Sequence, residues 1–405
     1  MASIPKQTQI LVVGGGPSGS YSAGVLAREG FDVVLLESTK HPRYHIGESL
    51  LPSVRPHLRF FGVEEKVRDH GFTQKPGAVA HFVKDLPPAY TNFIEESKDN
   101  GVWNVERAQF DEILLRQAQA LGAKVFEDVK VTELTFDKEN PAKPVSATYT
   151  KKGDTTAQTI TFDYLVDASG RFGLMSTKYL KNRRFLDSLK NYANWAYFEG
   201  QNAYAPVGTD RENAPYFQSL ADGTGWVWFI PLQGKVSVGL VQNEVAFKKI
   251  RKEFASTEEY YTAGLKGAPQ VMELLGTATR IASEPLRSAS DFSYRSKSWA
   301  KLRVVGDAAC FIDPLFSSGV HMALTGGLSA ATTIAASIRK NCTEEQAAKY
   351  HDKKVSTAFA RFLIVVLGVY VQIKRQDVRV TATEVCKSCV WNGLLMLALE
   401  LPTCH

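Results

Sequence analysis

Gly14, Gly16 and Gly19 stand in the spacing G-x-G-x-x-G, directly after an apolar run, QILVVGG from Gln9 to Gly15. No other feature constrains the fold as much. The run is short, continuous and valine-rich, the pattern of a strand buried on both faces of a parallel sheet. The stretch after the glycines, SYSAGVLAREG, is rich in small residues and ends at Gly30, which predicts a helix lying close against that sheet. A second strand, FDVVLLE, ends on Glu37. Each position then has a physical task. Gly14 permits the tight turn, Gly16 lets a pyrophosphate approach the backbone, and Gly19 lets helix and strand pack closely. The helix N-terminus, with Ser18 in its first turn, presents unpaired N–H groups and a positive dipole end to phosphates. Glu37 lies where a carboxylate accepts hydrogen bonds from a ribose hydroxyl. The expectation is an α/β chain that holds a dinucleotide.

Composition bounds the alternatives. With 405 residues, 44% of them hydrophobic, the chain can bury a large core, and 22% charged residues without long polar tracts exclude a disordered one. The net charge of +6 is spread out, with short clusters such as Lys181 to Arg184. That suits a solvated face attracting an anionic cofactor or substrate, and not a nucleic acid. Five cysteines in no disulfide-framework spacing, and a polar start, MASIPKQTQ, without an apolar core, predict a reduced, cytoplasmic enzyme.

Two later segments extend the pattern. YLVDASGR, Tyr164 to Arg171, runs from a strand into a small-residue turn, and Leu302 to Gly319 runs from a strand through GDAA towards a helix. Together with the glycine turn they resemble the elements that surround FAD in large flavoprotein oxygenases. The resemblance covers residues 1–340 and implies a Rossmann-like three-layer FAD-binding fold with a mixed β-sheet substrate region and C-terminal helices. It further implies that Asp307 bonds the ribityl chain and that Arg107 contacts the nucleotide half. On this reading residues 1–125, 160–180 and 300–340 form a discontinuous FAD-binding domain. Residues 126–159 form a β-hairpin insertion, 181–299 a substrate-binding sheet region, and 341–405 a shortened helical segment.

Three strings narrow the chemistry. GWVWFIP carries Trp226, Trp228 and Pro231; FIDPLFSSG fits F-x-x-P-x-x-S-x-G through Phe311, Pro314, Ser317 and Gly319; Lys75 lies in QKPGA, after HIGESLLPS. In these strings the chain resembles flavin-dependent halogenases. The resemblance implies that reduced FAD, supplied by a separate flavin reductase, reacts with oxygen to a flavin hydroperoxide, which oxidises chloride or bromide to hypohalous acid. It places the halide at the amides of Ser318 and Gly319 and makes the GWVWFIP residues Trp226, Trp228 and Pro231 the barrier between flavin and substrate. Lys75, extended because Pro76 follows it, would capture the hypohalous acid and pass the halogen on. Tryptophan halogenases carry a glutamate before S-T-G where this chain has Phe316. A phenol supplies its own activation once ionised, so the resemblance leans to fungal halogenases of small phenolic, polyketide-type compounds. His81, in AVAHF, is a candidate base for such a phenol. A hydroxylase or prenyl-chain reductase of the same fold, and an inactive FAD-binding relative, remain alternatives.

At the C-terminal end the apolar runs Phe362 to Val371 and Leu394 to Leu401 are each too short for a bilayer, which needs about twenty residues. They read as core or lid helices, so membrane association is not expected. Cys386, Cys389, Cys404 and His405 are residue types that zinc accepts, but the expectation is that no metal is bound.

Overall fold

The computed structural model describes residues 3–296 and 302–377. The glycine turn lies at the C-terminal end of the strand Gln7–Val13, which pairs in parallel with Val33–Leu36 on one side and Gln158–Asp167 on the other. Leu302–Val304 adds in parallel to Gln158–Asp167, whose first half instead pairs antiparallel with Pro144–Lys151. Thus the hairpin of Val129–Phe136 and Pro144–Lys151 continues the dinucleotide sheet, which counts seven strands among the described residues.

Alternation along these strands feeds two separate cores. Ile10, Val12, Val33, Leu35 and Val166 point to the side covered by the helices Pro17–Arg28 and Gly319–Ile338. Leu11, Val13, Val34, Leu36 and Leu165 point the other way, into a core shared with Trp226 and Trp228. The continuous apolar run read from sequence is this double burial.

The second sheet has nine strands among the described residues. Its spine is the long strand Arg184–Glu199, antiparallel to Arg287–Arg295 and to Lys235–Asn243, which in turn pairs with Gly225–Leu232. Tyr216–Ser219 and Gly77–His81 continue it outward. Thr73–Lys75 pairs separately with Val102–Asn104.

The helix Glu344–Lys374 is started by a capping box of Thr343 and Gln346. Its residues Phe359, Leu363, Val366, Tyr370 and Ile373, at helical spacing, are buried in the core that holds the tryptophans. The ten-residue apolar run seen in sequence is therefore part of a 31-residue helix. By length and composition alone this helix is long and apolar enough to cross a membrane, with 33% of its most apolar window buried. Leu394 to Leu401, and Cys386, Cys389, Cys404 and His405, lie outside the described residues.

Candidate active site

A cavity of about 600 Å³ runs between the glycine turn and the inner face of the second sheet. Its floor is built from the glycines. Gly14 has φ +105, and a Cβ there would sit 2.2 Å from the carbonyl oxygen of Ala168; at Gly19 a Cβ would sit 1.9 Å from the carbonyl oxygen of Gly14. Both glycines are demanded by the chain itself. Gly16 is different, because a Cβ there would meet only Arg43 Nη2, at 3.5 Å. Gly16 is the N-cap of the helix Pro17–Arg28 and gives it no side-chain cap, so the first turn is left open to an anion. Ser18 lines the cavity beside it, whereas Gly19 does not.

Glu37 also lines the cavity. One oxygen accepts the Gly15 N–H at 2.5 Å and the other accepts from Thr39 N and Oγ1 at 2.9 and 2.7 Å. Burial would raise its pKa, but these hydrogen bonds outweigh it and hold the carboxyl low. Arg107, first residue of the helix Arg107–Ala120, grips Asp111 with two bonds of 2.8 and 3.0 Å and reaches the carbonyl of Ile46. Asp111 also accepts from Arg43. The two guanidiniums are thereby fixed at the cavity near Gly16. Asp307 lies opposite, and burial raises its pKa. An open helix N-terminus, space above Gly16, two anchored arginines and an acid for a hydroxylated chain fit FAD.

The far end is aromatic. Trp226, Trp228 and Ile230 alternate onto the inner face of Gly225–Leu232 and line the cavity. The tryptophan rings lie 5.8 Å apart, flanked by Phe217 at 6.1 Å and Trp195 at 6.2 Å. Pro231 falls on the opposite register and does not line the cavity. The Trp226 N–H donates to the Tyr370 hydroxyl at 2.9 Å, and Tyr370 donates to Asp313 Oδ2 at 2.7 Å. Asn191 Nδ2 donates to both, at 2.8 Å each. Burial pushes Asp313 up to about 7.

Gly319 begins the 20-residue helix Gly319–Ile338, lines the cavity and is preceded by Ser318, whose buried hydroxyl has no hydrogen-bond partner among the described residues. Ser317 turns the chain there with φ 54. Lys75 does not line the cavity; it lies directly behind it, with 1% of its surface exposed. Its Nζ donates to Ser49 Oγ at 2.8 Å and to the Leu50 carbonyl at 2.7 Å, and the Phe93 ring lies 5.2 Å away. Ser49 does line the cavity. Burial alone pushes the Lys75 amine down to about 7. His81 lies apart from the cavity, bonded through Nδ1 to Tyr216 at 3.2 Å.

Sequence reasoning passed over Glu48, the neighbour of Ser49. It lines the cavity, is buried, and accepts a hydrogen bond from Tyr197 at 2.5 Å. Its place inside HIGESLLPS was the available signal.

The family model described as tryptophan halogenase matches residues 9–93 and 86–381. The chain belongs to this family. It is 52% identical over 390 residues to the flavin-dependent halogenase armH1 of Armillaria mellea, covering 93% of this chain and 74% of armH1. Against the flavin-dependent halogenase ascD of Acremonium egyptiacum it is 49% identical over 393 residues, covering 93% of this chain and 70% of ascD. Among solved structures, the myxobacterial chondrochloren halogenase CndH superposes with a TM-score of 0.83 at 27% identity, over 98% of this chain and 91% of that one. The protein is thus a flavin-dependent halogenase with the FAD-binding fold of that group.

Proposed function

We propose that this halogenase installs chloride or bromide on a small phenolic compound, using FAD reduced by a separate reductase. When bound, reduced flavin supplies with dioxygen the oxidising power that turns halide into an electrophile. In this reading Gly14, Gly16, Ser18 and Gly19 form the pyrophosphate turn, with Glu37, Arg107 and Asp307 holding the rest of the cofactor. The buried hydroxyl of Ser318 and the start of the helix at Gly319 supply donors for the halide. Trp226 and Trp228 separate the cofactor side from the substrate, with Pro231 shaping the strand that carries them.

Lys75 carries the reading. Among the described residues no carboxylate pairs with it, and its amine is held by one hydroxyl and one carbonyl behind the cavity lining. Such an amine is neutral for a large part of the time near pH 7 and has a free lone pair to capture hypohalous acid. Ser49 fixes where the captured halogen is presented. Phe316 stands where tryptophan halogenases have a carboxylate, which favours a substrate that activates itself by ionising.

The test is product mass spectrometry with FAD, a flavin reductase, oxygen and either halide, against a panel of phenols and indoles. A halogenated phenol is the expected product. Indole products alone would overturn the phenolic reading, and oxygenated products without halogen would overturn halogenation.

A further inference from the structure

We propose that Glu48, Tyr197 and Tyr44 form a proton relay that carries a proton from solvent to the cavity, with Glu48 as the terminal donor. The inference rests on the halogenation reading for its need of a proton. Converting an aryl C–H and a halide ion into an aryl–halogen bond releases two electrons and one proton. Reduced flavin gives two electrons and two protons. Dioxygen takes the four electrons and needs four protons to leave as two waters. One proton per turnover must therefore come from outside.

The hydrogen-bond directions supply a path. Tyr197 donates to Glu48 Oε1. Its only proton is committed there, so in the 2.9 Å contact between Tyr197 and Tyr44 the donor is Tyr44. The Trp195 N–H donates to the Tyr44 oxygen at 2.6 Å, which leaves the Tyr44 proton free to point inward. Tyr44 is 40% exposed, while Tyr197 and Glu48 are buried. The second carboxyl oxygen, Oε2, is buried and makes no hydrogen bond of good geometry among the described residues, with the Ser237 hydroxyl beside the carboxyl; the residue lines the cavity next to Ser49. A proton added at Tyr44 can pass by successive O–H exchange to Glu48, and from its carboxyl into the cavity. The proton arrives on Oε1, so the carboxyl must turn to present it to the cavity, and the chain resets when both hydroxyls rotate back and Tyr44 takes up the next proton from water.

The surroundings of Glu48 suit a donor. Burial pushes its carboxyl up to about 7, against the lowering effect of Tyr197 and Ser237; Glu106 raises it further and Lys235 lowers it. Arg107 also feels its charge, as do Tyr44 and Tyr197. A carboxyl so placed holds its proton for much of the time at neutral pH and releases it readily.

Infrared spectroscopy of the holoenzyme across pH 5–9 reads the acid directly. A carboxylic acid band that vanishes with a midpoint near pH 7, and is missing in Glu48→Gln, is expected. Tyr197→Phe removes a bond that stabilises the carboxylate, so the midpoint moves up. In single turnover with pre-reduced FAD, Glu48→Gln is expected to form product about 10²-fold or more slowly at pH 7. Its FAD affinity stays within a few-fold, and a small permeant acid restores part of the rate. Tyr44→Phe slows turnover less and is restored in the same way. Wild-type rates in Glu48→Gln, or no titrating band, would overturn the relay, as would loss of FAD binding together with turnover. If the wild type makes no halogenated product, the halogenation reading fails by itself, and the infrared difference between wild type and Glu48→Gln, in which the Asp313 band cancels, together with Tyr197→Phe decides the relay.

Discussion

Substituting two glycines of one turn should separate folding from cofactor binding. A methyl at Gly19 would lie 1.9 Å from the Gly14 carbonyl oxygen and 3.0 Å from Ala168 Cβ, so backbone on both sides must move. Over-packing of this kind costs about 1–3 kcal/mol, and a backbone partner puts Gly19→Ala at the upper end. A methyl at Gly16 has only the Arg43 guanidinium within 4 Å, at 3.5 Å, and the backbone there has φ −70, which any residue adopts. Gly16→Ala should therefore fold with the stability of the wild type. Its methyl stands where a pyrophosphate must approach the turn. If displacing the phosphate costs the same ~1–3 kcal/mol, FAD affinity falls about 5- to 150-fold. Thermal unfolding of the cofactor-free proteins and fluorescence titration with FAD read the two effects separately. A destabilised Gly16→Ala with normal FAD affinity, or a Gly19→Ala as stable as wild type, would refute this division.

Lys75→Ala should lose essentially all product while FAD binding and flavin oxidation by oxygen continue, and free hypohalous acid should become trappable; Lys75→Arg should not restore product, because a guanidinium stays charged. Both Lys75 and Glu48 have been moved to about 7, so a narrow bell-shaped rate profile is expected, with its maximum near pH 7: below it the amine is protonated and above it Glu48 is ionised. The residual rate of Glu48→Gln should lack the alkaline limb. The Lys75 amine also binds its proton less well folded than unfolded, so its contribution to stability rises with pH from about 7 to the ordinary lysine value of 10.5. Lys75→Met should flatten that part of a denaturation-against-pH curve. Tyr370→Phe leaves Asp313, Asn191 and Trp226 each short of a buried partner. It should cost about 2–4 kcal/mol and alter the tryptophan near-ultraviolet circular dichroism; an unchanged spectrum and melting temperature would count against the network.

What the sequence disclosed was local. The strand–turn–helix at Gly14 to Gly19 and the acid at Glu37 were legible because spacing, turn and helix start all act within about thirty residues. Trp226 and Trp228 shared a face because strand side chains alternate; the same rule puts Pro231 on the other one. Lys75 was legible as extended, through Pro76. That it is sealed behind Ser49 depends on the pairing of Thr73–Lys75 with Val102–Asn104 and on the loop before Leu50, which no local pattern encodes. Glu48 was hidden for the same reason, since its partner Tyr197 is 149 residues away. Arg107 read as a cofactor contact, and its bidentate grip on Asp111 is an i,i+4 pair that sequence does contain.

The network around Tyr370 has a consequence for how the protein is made. Trp226, Asn191 and Asp313 are joined through a hydroxyl that is synthesised 144 residues after the first, 179 after the second and 57 after the third. Contacts at such separation form late, because long loops must close before they gain anything. On the ribosome, the glycine turn and its sheet neighbours can come together while the aromatic wall still lacks its last tie. Placing that tie on the helix Glu344–Lys374 makes completion of the aromatic cluster coincide with nearly the whole described chain being in place.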